Sequence, residues 1–299
     1  MLLIGTRTSE IYEMDLTSHS FALVLQGHAM GDVWGLATHP SEHQFVTCGD
    51  DGTVRVWHVP SRRMVMIRDL GTKGRSCAYH PDGSQIAIGL VNGGVAIISS
   101  DSLDTIHTKR DREEPIHDLK YSPNGLYLAV GSYDNYVDIY DISRHYGRVA
   151  VCKGHRSFIR HLDWSSDSTV LQTISGDFDL MFWEMPSGKQ IKYTSDTRNL
   201  DWSTWTSVSG WPVQGIWPSH TNGMDVNTAD RSHTRTCVAT GDDFGVVSLY
   251  PYPAHEGCGR KQYGGHSNNV VGTRFLFDDS ALITVGGSDQ TICQYRVLM

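Results

Sequence analysis

A short motif recurs along this 299-residue chain and constrains its fold more than any other feature. The motif begins with Gly-His, continues through apolar runs separated by turn residues, and ends at an aromatic residue. Its clearest copies begin at Gly27-His28, Gly154-His155 and Gly265-His266. The first two copies are 154 − 27 = 127 residues apart with two weaker copies between them, so the period is about 42 residues. This is the length of one four-stranded blade, and it predicts an all-β propeller.

Seven blades follow from the alternating apolar runs and the turn residues between them. Their predicted bounds are 2–25, 33–68, 74–107, 116–153, 159–193, 222–263 and 270–297. We expect one domain over 1–299, because each blade needs its neighbours to bury its faces. The first blade lacks an innermost strand and the last lacks an outermost one. Either the ring closes in an unusual way, or the missing strands lie in polypeptide outside this sequence.

Charge and composition exclude several classes of protein. The formal net charge is −8, which disfavours nucleic acid and anionic membranes as partners. No window approaches the roughly 18 apolar residues of a membrane helix, and we find no secretory signal. The six cysteines include no Cys-x-x-Cys pair, which indicates a reduced, intracellular compartment.

Each clear copy of the motif predicts a hydrogen-bonded quartet of side chains. A Trp indole N–H donates to a Thr hydroxyl, the Thr contacts a His, and an Asp holds the other imidazole nitrogen. The predicted quartets, the last with Tyr in place of Trp, are His28, Thr47, Asp51 and Trp57; His155, Thr173, Asp177 and Trp183; and His266, Thr284, Asp289 and Tyr295. We interpret them as structural, because a nucleophile needs one exposed site with an oxyanion hole, whereas this set recurs at three places.

No other cluster of residues indicates catalysis. The remaining histidines show no metal-ligand spacing, and the glycine-rich segments do not match a phosphate-binding loop. The sequence therefore predicts no enzyme activity, no metal site and no cofactor. An enzyme that uses the central channel is kept as an alternative.

One segment, residues 194–219, departs from the period. It holds half of the eight tryptophans, namely Trp202, Trp205, Trp211 and Trp217. A link of this length in a compact array is either structured or functional. We expect the rings to cover the propeller as additional core with at least one ring exposed. The alternative is a binding platform for a partner.

A small basic group, Lys109, Arg110 and Arg112, precedes Glu113 and Glu114. The mixed signs favour a solvated loop whose charges compensate each other. The alternative is a contact for an acidic partner, so these three residues join the four tryptophans as a candidate partner surface.

Several strings resemble the echinoderm microtubule-associated protein-like family of WD-repeat proteins. They are Gly-Leu-Ala-Thr-His-Pro40, Lys109-Arg-Asp-Arg112, Phe158-Ile-Arg-His-Leu-Asp-Trp164, Trp202-Ser-Thr-Trp-Thr206, Gly-Ile-Trp217, Thr240-Gly-Asp-Asp-Phe-Gly245 and Gly-Gly-His-Ser267. They occur in order across almost the whole chain and include the Trp-rich segment, which ordinary WD-repeat propellers lack. Two propellers sit in tandem in this family, and the chain resembles the second of them.

The resemblance implies a non-catalytic protein-interaction module that binds tubulin or microtubules, in the cytoplasm on the cytoskeleton or in the cilium. It implies no cofactor, and it implies the first propeller of the same longer protein as a further partner. Tubulin is acidic and so is this chain, so we expect a contact that is local and set by shape. The alternative is a general WD-repeat scaffold or adaptor of another complex.

Overall fold

The computed structural model describes residues 1–6, 9–192, 195, 197–217 and 226–298. Their strands form seven antiparallel sheets, and helix is scarce, with short 3₁₀ segments at Ile142–Arg144 and Trp211–Ile216. The predicted all-β class and its seven sheets are confirmed. The predicted blade ends at 193 and 222–225 and positions 194, 196, 218 and 219 of the predicted insertion lie outside the described residues.

Every sheet is a meander in which strands pair in chain order. The first four sheets are β1–β3 (Leu2–Gly5, Ile11–Met14, Phe21–Leu25), β4–β7 (Val33–Thr38, Gln44–Gly49, Thr53–His58, Arg63–Asp69), β8–β11 (Gly74–Tyr79, Gln85–Leu90, Gly94–Ser99, Thr105–Arg110) and β12–β15 (Ile116–Tyr121, Tyr127–Ser132, Tyr136–Asp141, Gly147–Lys153). The last three are β16–β19 (Ile159–Trp164, Val170–Ser175, Leu180–Glu184, Lys189–Ile191), β20–β23 (Val226–Arg231, Cys237–Asp242, Val247–Pro251, Lys261–Tyr263) and β24–β26 (Val270–Phe275, Ala281–Gly286, Ile292–Arg296).

Burial increases from the outer strand of each sheet toward the axis. The outermost strand β7 alternates exposed and half-buried residues, which suits an edge that faces solvent on one side. The next strand inward, β6, is buried at four consecutive residues, because neighbouring sheets cover both of its faces.

Six clusters of buried apolar side chains lie between neighbouring sheets. Each cluster is shared by two sheets, through pairs such as Val46 and Ile88, Ile97 and Leu128, Ile139 and Leu171, Ile174 and Val226, Val247 and Phe275, and Leu36 and Ile283. The last of these pairs joins the second sheet to the seventh. The second to seventh sheets therefore form a closed ring.

Closure of this ring occurs where the seventh sheet packs on the second. The Val33 N–H donates to the Gly287 carbonyl at 3.3 Å, and the Thr38 hydroxyl donates to the Phe275 carbonyl at 2.9 Å. The seventh sheet has three strands, so an outermost strand is not needed for this closure among the described residues.

The first sheet, β1–β3, differs from the other six. None of its described residues is fully buried, and none belongs to the six apolar clusters. Leu3 is 68% exposed and Phe21 is 60% exposed. The physical reason is that the second and seventh sheets pack directly on each other, which leaves the first sheet outside the ring.

Candidate interaction sites

The first quartet is assembled as the sequence predicts. His28 Nε2 lies 2.8 Å from Thr47 Oγ1, and His28 Nδ1 lies 3.0 Å from Asp51 Oδ2. The Trp57 indole N–H donates to Thr47 Oγ1 at 2.8 Å. Thr47 accepts from the indole, so its own hydroxyl hydrogen is directed at the imidazole, and the imidazole N–H is directed at the carboxylate.

A buried arginine joins this quartet, and the sequence reasoning missed it. Arg55 Nη2 donates to Asp51 Oδ2 at 3.2 Å, with both side chains almost completely buried. The sequence spacing could have indicated this contact, because Arg55 lies two residues before Trp57 on β6 and so shares its face. Met181 and Cys293 hold the corresponding positions in the other two copies, so the extra ion pair belongs to the first copy.

Burial sets the charge state of the quartet histidines. Burial lowers the pKa of His28, His155 and His266, which keeps each imidazole neutral at physiological pH. Burial also tends to raise the pKa of Asp51, but hydrogen bonds from His28 and from the backbone N–H groups of Ala29 and Thr53 lower it overall. Neutral imidazoles that are fixed on both nitrogens match a structural role.

The second quartet departs from the prediction at its carboxylate. His155 Nε2 lies 2.6 Å from Thr173 Oγ1, and the Trp183 indole donates to the same oxygen at 2.8 Å. His155 Nδ1, however, lies 2.9 Å from Ser175 Oγ, which donates to Asp177 Oδ1 at 2.6 Å. Asp177 is exposed and reaches the histidine only through this serine.

A single position explains the difference between the copies. Ser175 ends the second strand of its sheet, where the first and third copies have Gly49 and Gly286. A Cβ added at Gly286 would lie 1.9 Å from Asp289 Oδ1 and 2.6 Å from His266 Nδ1. Glycine therefore leaves room for direct contact between His and Asp, whereas a serine hydroxyl replaces that contact.

The third quartet keeps its His, Thr and Asp. His266 Nε2 lies 2.7 Å from Thr284 Oγ1, and His266 Nδ1 lies 3.2 Å from Asp289 Oδ2. The Tyr295 hydroxyl donates to the Gly264 carbonyl at 3.1 Å. The phenol thus fixes the loop that precedes the histidine, a backbone contact that the indole of the other copies does not make.

The four tryptophans of the insertion differ in exposure. Trp202 and Trp205 are 5% and 3% exposed and pack in the core between the fifth and sixth sheets. Trp217 is half-buried, with its indole N–H donating to the Val208 carbonyl at 2.8 Å. Trp211 is 56% exposed. As members of a partner surface, Trp202 and Trp205 were predicted wrongly, because their burial makes them core.

A buried carboxylate, which the sequence reasoning missed, holds the insertion against the ring. Asp163 on β16 accepts hydrogen bonds from the Lys120 ammonium at 2.8 Å and from the Thr206 and Ser207 backbone N–H groups at 3.0 and 3.1 Å. Burial tends to raise the pKa of Asp163, but the charge and hydrogen bond of Lys120 lower it overall, which favours the ionised carboxylate. Nothing in the local sequence shows that residues more than forty positions apart meet here.

A groove runs beside the exposed ring of Trp211. It has a volume of about 500 Å³ and is lined by residues of the insertion together with Phe182, Arg235 and Tyr252. The Arg198 guanidinium lies 4.9 Å from the centre of the Trp211 ring. Arg235 is half-exposed and pairs with Asp201. The groove therefore combines an exposed aromatic ring with two arginines.

The basic group at 109–112 is divided between a strand and a folded loop. Lys109 and Arg110 end strand β11, so the predicted loop is wrong for these two residues. Arg112 donates to both oxygens of Asp138 at 2.7 Å and to Asp134 at 3.0 Å. These hydrogen bonds raise the pKa of Arg112. Arg112 is thus engaged within the fold, which corrects its place on the candidate surface, and Arg110 remains exposed.

Other features that could indicate a function are scarce within the described ranges. No group of three or more His, Cys, Asp or Glu side chains there could hold a metal ion. The helices of this part of the chain are too short and too polar to cross a membrane. The six cysteines are free, and Cys48, Cys77 and Cys152 are buried.

Comparison with known proteins gives a consistent result. The family model described as the echinoderm microtubule-associated protein second beta-propeller matches residues 33–297. Echinoderm microtubule-associated protein-like 2 of Rattus norvegicus is 41% identical over 300 residues, covering 99% of this chain and 46% of the relative. The 77 kDa echinoderm microtubule-associated protein of Lytechinus variegatus is 41% identical over 301 residues, covering 99% of this chain and 45% of the relative.

The chain thus spans about half the length of these relatives. Among solved structures, a chain of the structure titled "Crystal Structure of Mitotic Checkpoint Complex" superposes with a TM-score of 0.72. The sequences are 19% identical, and the match covers 89% of this chain and 87% of that chain. At this identity the likeness shows the fold alone.

Proposed function

Because this chain belongs to the echinoderm microtubule-associated protein-like family, as its second propeller, we propose that it is a non-catalytic module that binds microtubules through the groove beside Trp211. The names of its relatives support a microtubule-associated role. The His, Thr and Asp set recurs in three copies, and each of its histidines is kept neutral by burial, which supports the absence of catalysis. The site of action is then the cytoskeleton of the cytoplasm, with the cilium as a special case.

The exposed ring of Trp211 is the observation that carries the proposal. Tryptophan and arginine are the residues most enriched at energetic hot spots of protein interfaces. Here a 56% exposed tryptophan lies beside Arg198, in a groove where Arg235 pairs with Asp201, on a chain whose net charge is −8. A local basic and aromatic contact suits an acidic partner surface that the whole domain would repel.

Rigidity of the insertion favours binding at this groove. Asp163 holds the backbone at Thr206 and Ser207, and the buried Trp205 donates its indole N–H to the Ser207 carbonyl at 2.9 Å. A surface that is already ordered loses less conformational entropy when a partner binds.

The first sheet supplies a second contact in this proposal, with the first propeller of the same longer protein. Leu3, Phe21 and Val24 are each more than half exposed, although they belong to the apolar strands Leu2–Gly5 and Phe21–Leu25. An apolar sheet of this kind is unusual on a free surface. The half-length match to the relatives supports a neighbouring domain as its cover.

Co-sedimentation with polymerised tubulin over a salt series tests the microtubule contact. We expect Trp211→Ala to weaken binding by about tenfold, the effect of one hot-spot residue. Phe244→Ala is the matched control, because Phe244 is 73% exposed on a different loop. Equal effects of the two changes would contradict the assignment of the groove. Failure of the wild type to pellet, even when joined to its native flanking sequence, would favour the general scaffold or adaptor instead.

A further inference from the structure

The innermost strands of the six ring sheets share one irregularity. Each has a β-bulge at its second residue, where the register against the next strand shifts by one position. The bulged residues are Trp34, Arg75, His117, Arg160, Asn227 and Val271, and all six line one cavity of about 150 Å³. A bulge turns a side chain out of the regular alternation, and here it directs six of them to the axis. We call this space the channel cavity.

The channel cavity is positively charged although the protein is acidic. Arg75, Arg160 and Arg274 line it, and Asp118 is the one carboxylate among its described lining residues. The two oxygens of Asp118 accept the backbone N–H groups of Leu119 and Leu162, each at 2.9 Å. Charges of one sign in a narrow cleft concentrate the field there, so an anion is attracted to this end of the channel.

Several polar atoms in the channel cavity lack a protein partner among the described residues. They are Trp34 Nε1, Arg75 Nε, His117 Nδ1 and His161 Nε2, each buried from solvent. An unpaired buried donor is unfavourable unless a ligand or water satisfies it. Two of these atoms can only donate, and an imidazole nitrogen can also donate. The four atoms belong to β4, β8, β12 and β16, the innermost strands of four consecutive sheets.

We propose that the channel cavity binds a phosphate-type oxyanion, either free or carried as a monoester on a partner. Donors from four neighbouring strands, together with three arginines, suit an anion whose several oxygens can each accept a hydrogen bond. The Arg75 guanidinium lies 3.6 Å from the centre of the Trp34 ring, which holds it flat and leaves its edge available. The volume equals that of about five waters, which leaves room for one small anion and its remaining hydration.

The pKa values of the two histidines of the channel cavity, His117 and His161, should change when an anion binds there. Burial, together with the charges of Arg75 and Arg160, lowers the pKa of His117 to about 4. Burial and the charge of Arg160 lower the pKa of His161 as well. A bound dianion would offset the arginine charges and raise both values.

Calorimetric titration of the whole chain with inorganic phosphate tests the site at constant ionic strength. We expect saturable binding of one phosphate per chain, weakened at least tenfold by Arg75→Met, which keeps the contact with Trp34 and removes the charge. Arg144→Met is the matched control, because Arg144 is 74% exposed and lies outside the channel. Absence of saturable binding to the wild type, or equal binding by Arg75→Met, would overturn the proposal.

Two further measurements distinguish free phosphate from phosphate carried on a partner. Both use the wild-type chain, so neither depends on the folding of a variant. A phosphoserine peptide that binds more tightly than inorganic phosphate would show a carried phosphate, whereas the reverse would show a free one. Acetate that binds as well as phosphate would overturn the assignment. NMR titration of the wild type should show the pKa of His117 rising with phosphate, and an unchanged pKa would count against the site. None of these results depends on microtubule binding.

Discussion

Individual residues decide how each copy of the repeated motif is stabilised. In the first copy a threonine hydroxyl serves two partners, because Thr47 accepts from Trp57 and contacts His28. In the second copy one serine in place of a glycine moves the carboxylate of Asp177 away from the imidazole. The types of residue in the quartets could be read from the sequence. Their exact partners could not, because contact depends on whether a Cβ is present at a single strand end.

Thr47→Val tests how much the shared hydroxyl contributes to the free energy of unfolding. The substitution keeps the shape of the side chain but leaves the Trp57 indole N–H and His28 Nε2 without a partner. We expect the free energy of unfolding to fall by about 1–3 kcal/mol for each orphaned group, as measured by denaturant unfolding. Thr108→Val, at an exposed residue of the outer strand β11, is the control. A loss no larger than that of the control would show that the quartet adds little stability.

The strand positions agree closely with those predicted, because the sequence pattern that marks a strand is local. Alternating apolar residues and turn residues predicted the second sheet over 33–68, and the structure has it from Val33 to Asp69. The insertion departs visibly from the repeat, and the sequence predicts that its tryptophans act mainly as core. Its attachment through Asp163 could not be predicted, because Lys120 and Thr206 meet that carboxylate only after three distant segments have folded.

Asp163→Asn tests the attachment of the insertion. The change leaves the Lys120 ammonium buried without its counter-charge, and breaking such a pair costs about 3–5 kcal/mol. We expect faster proteolysis within 197–217 and a change in tryptophan fluorescence, while the other sheets stay folded. The double variant Asp163→Asn with Lys120→Met should recover part of the loss, because it removes the unpaired charge. Unaltered proteolysis in the single variant would contradict this role.

At the scale of the molecule, seven sheets divide into a ring of six and one exposed sheet. The repeat predicted the number of sheets, but not the burial of the first one. Burial depends on which sheets pack against each other, here the second on the seventh, and a count of repeats does not contain that information. The first sheet therefore keeps apolar side chains exposed on both of its faces, with no cover among the described residues.

Substitution of one exposed residue on each face of this sheet, Leu3→Ser with Phe21→Ser, separates a docking role from a folding role. Leu3 is 68% exposed and Phe21 is 60% exposed, so the loss of both side chains should leave the melting temperature nearly unchanged. We expect weaker self-association at high protein concentration, measured by light scattering, because less apolar surface is presented. Phe244→Ser is the control for a solitary exposed ring. A large drop in melting temperature would instead show that the first sheet stabilises the ring.

Closure of the ring between the second and seventh sheets has a mechanical consequence. The hydrogen bond from Thr38 to Phe275 joins residues 237 positions apart, whereas the other five interfaces join sheets adjacent along the chain. A pulling force applied to the two ends would therefore act first across this seam. The seventh sheet would detach as a unit, and tension would uncover the faces around Leu36 and Ile283 while both sheets stay folded.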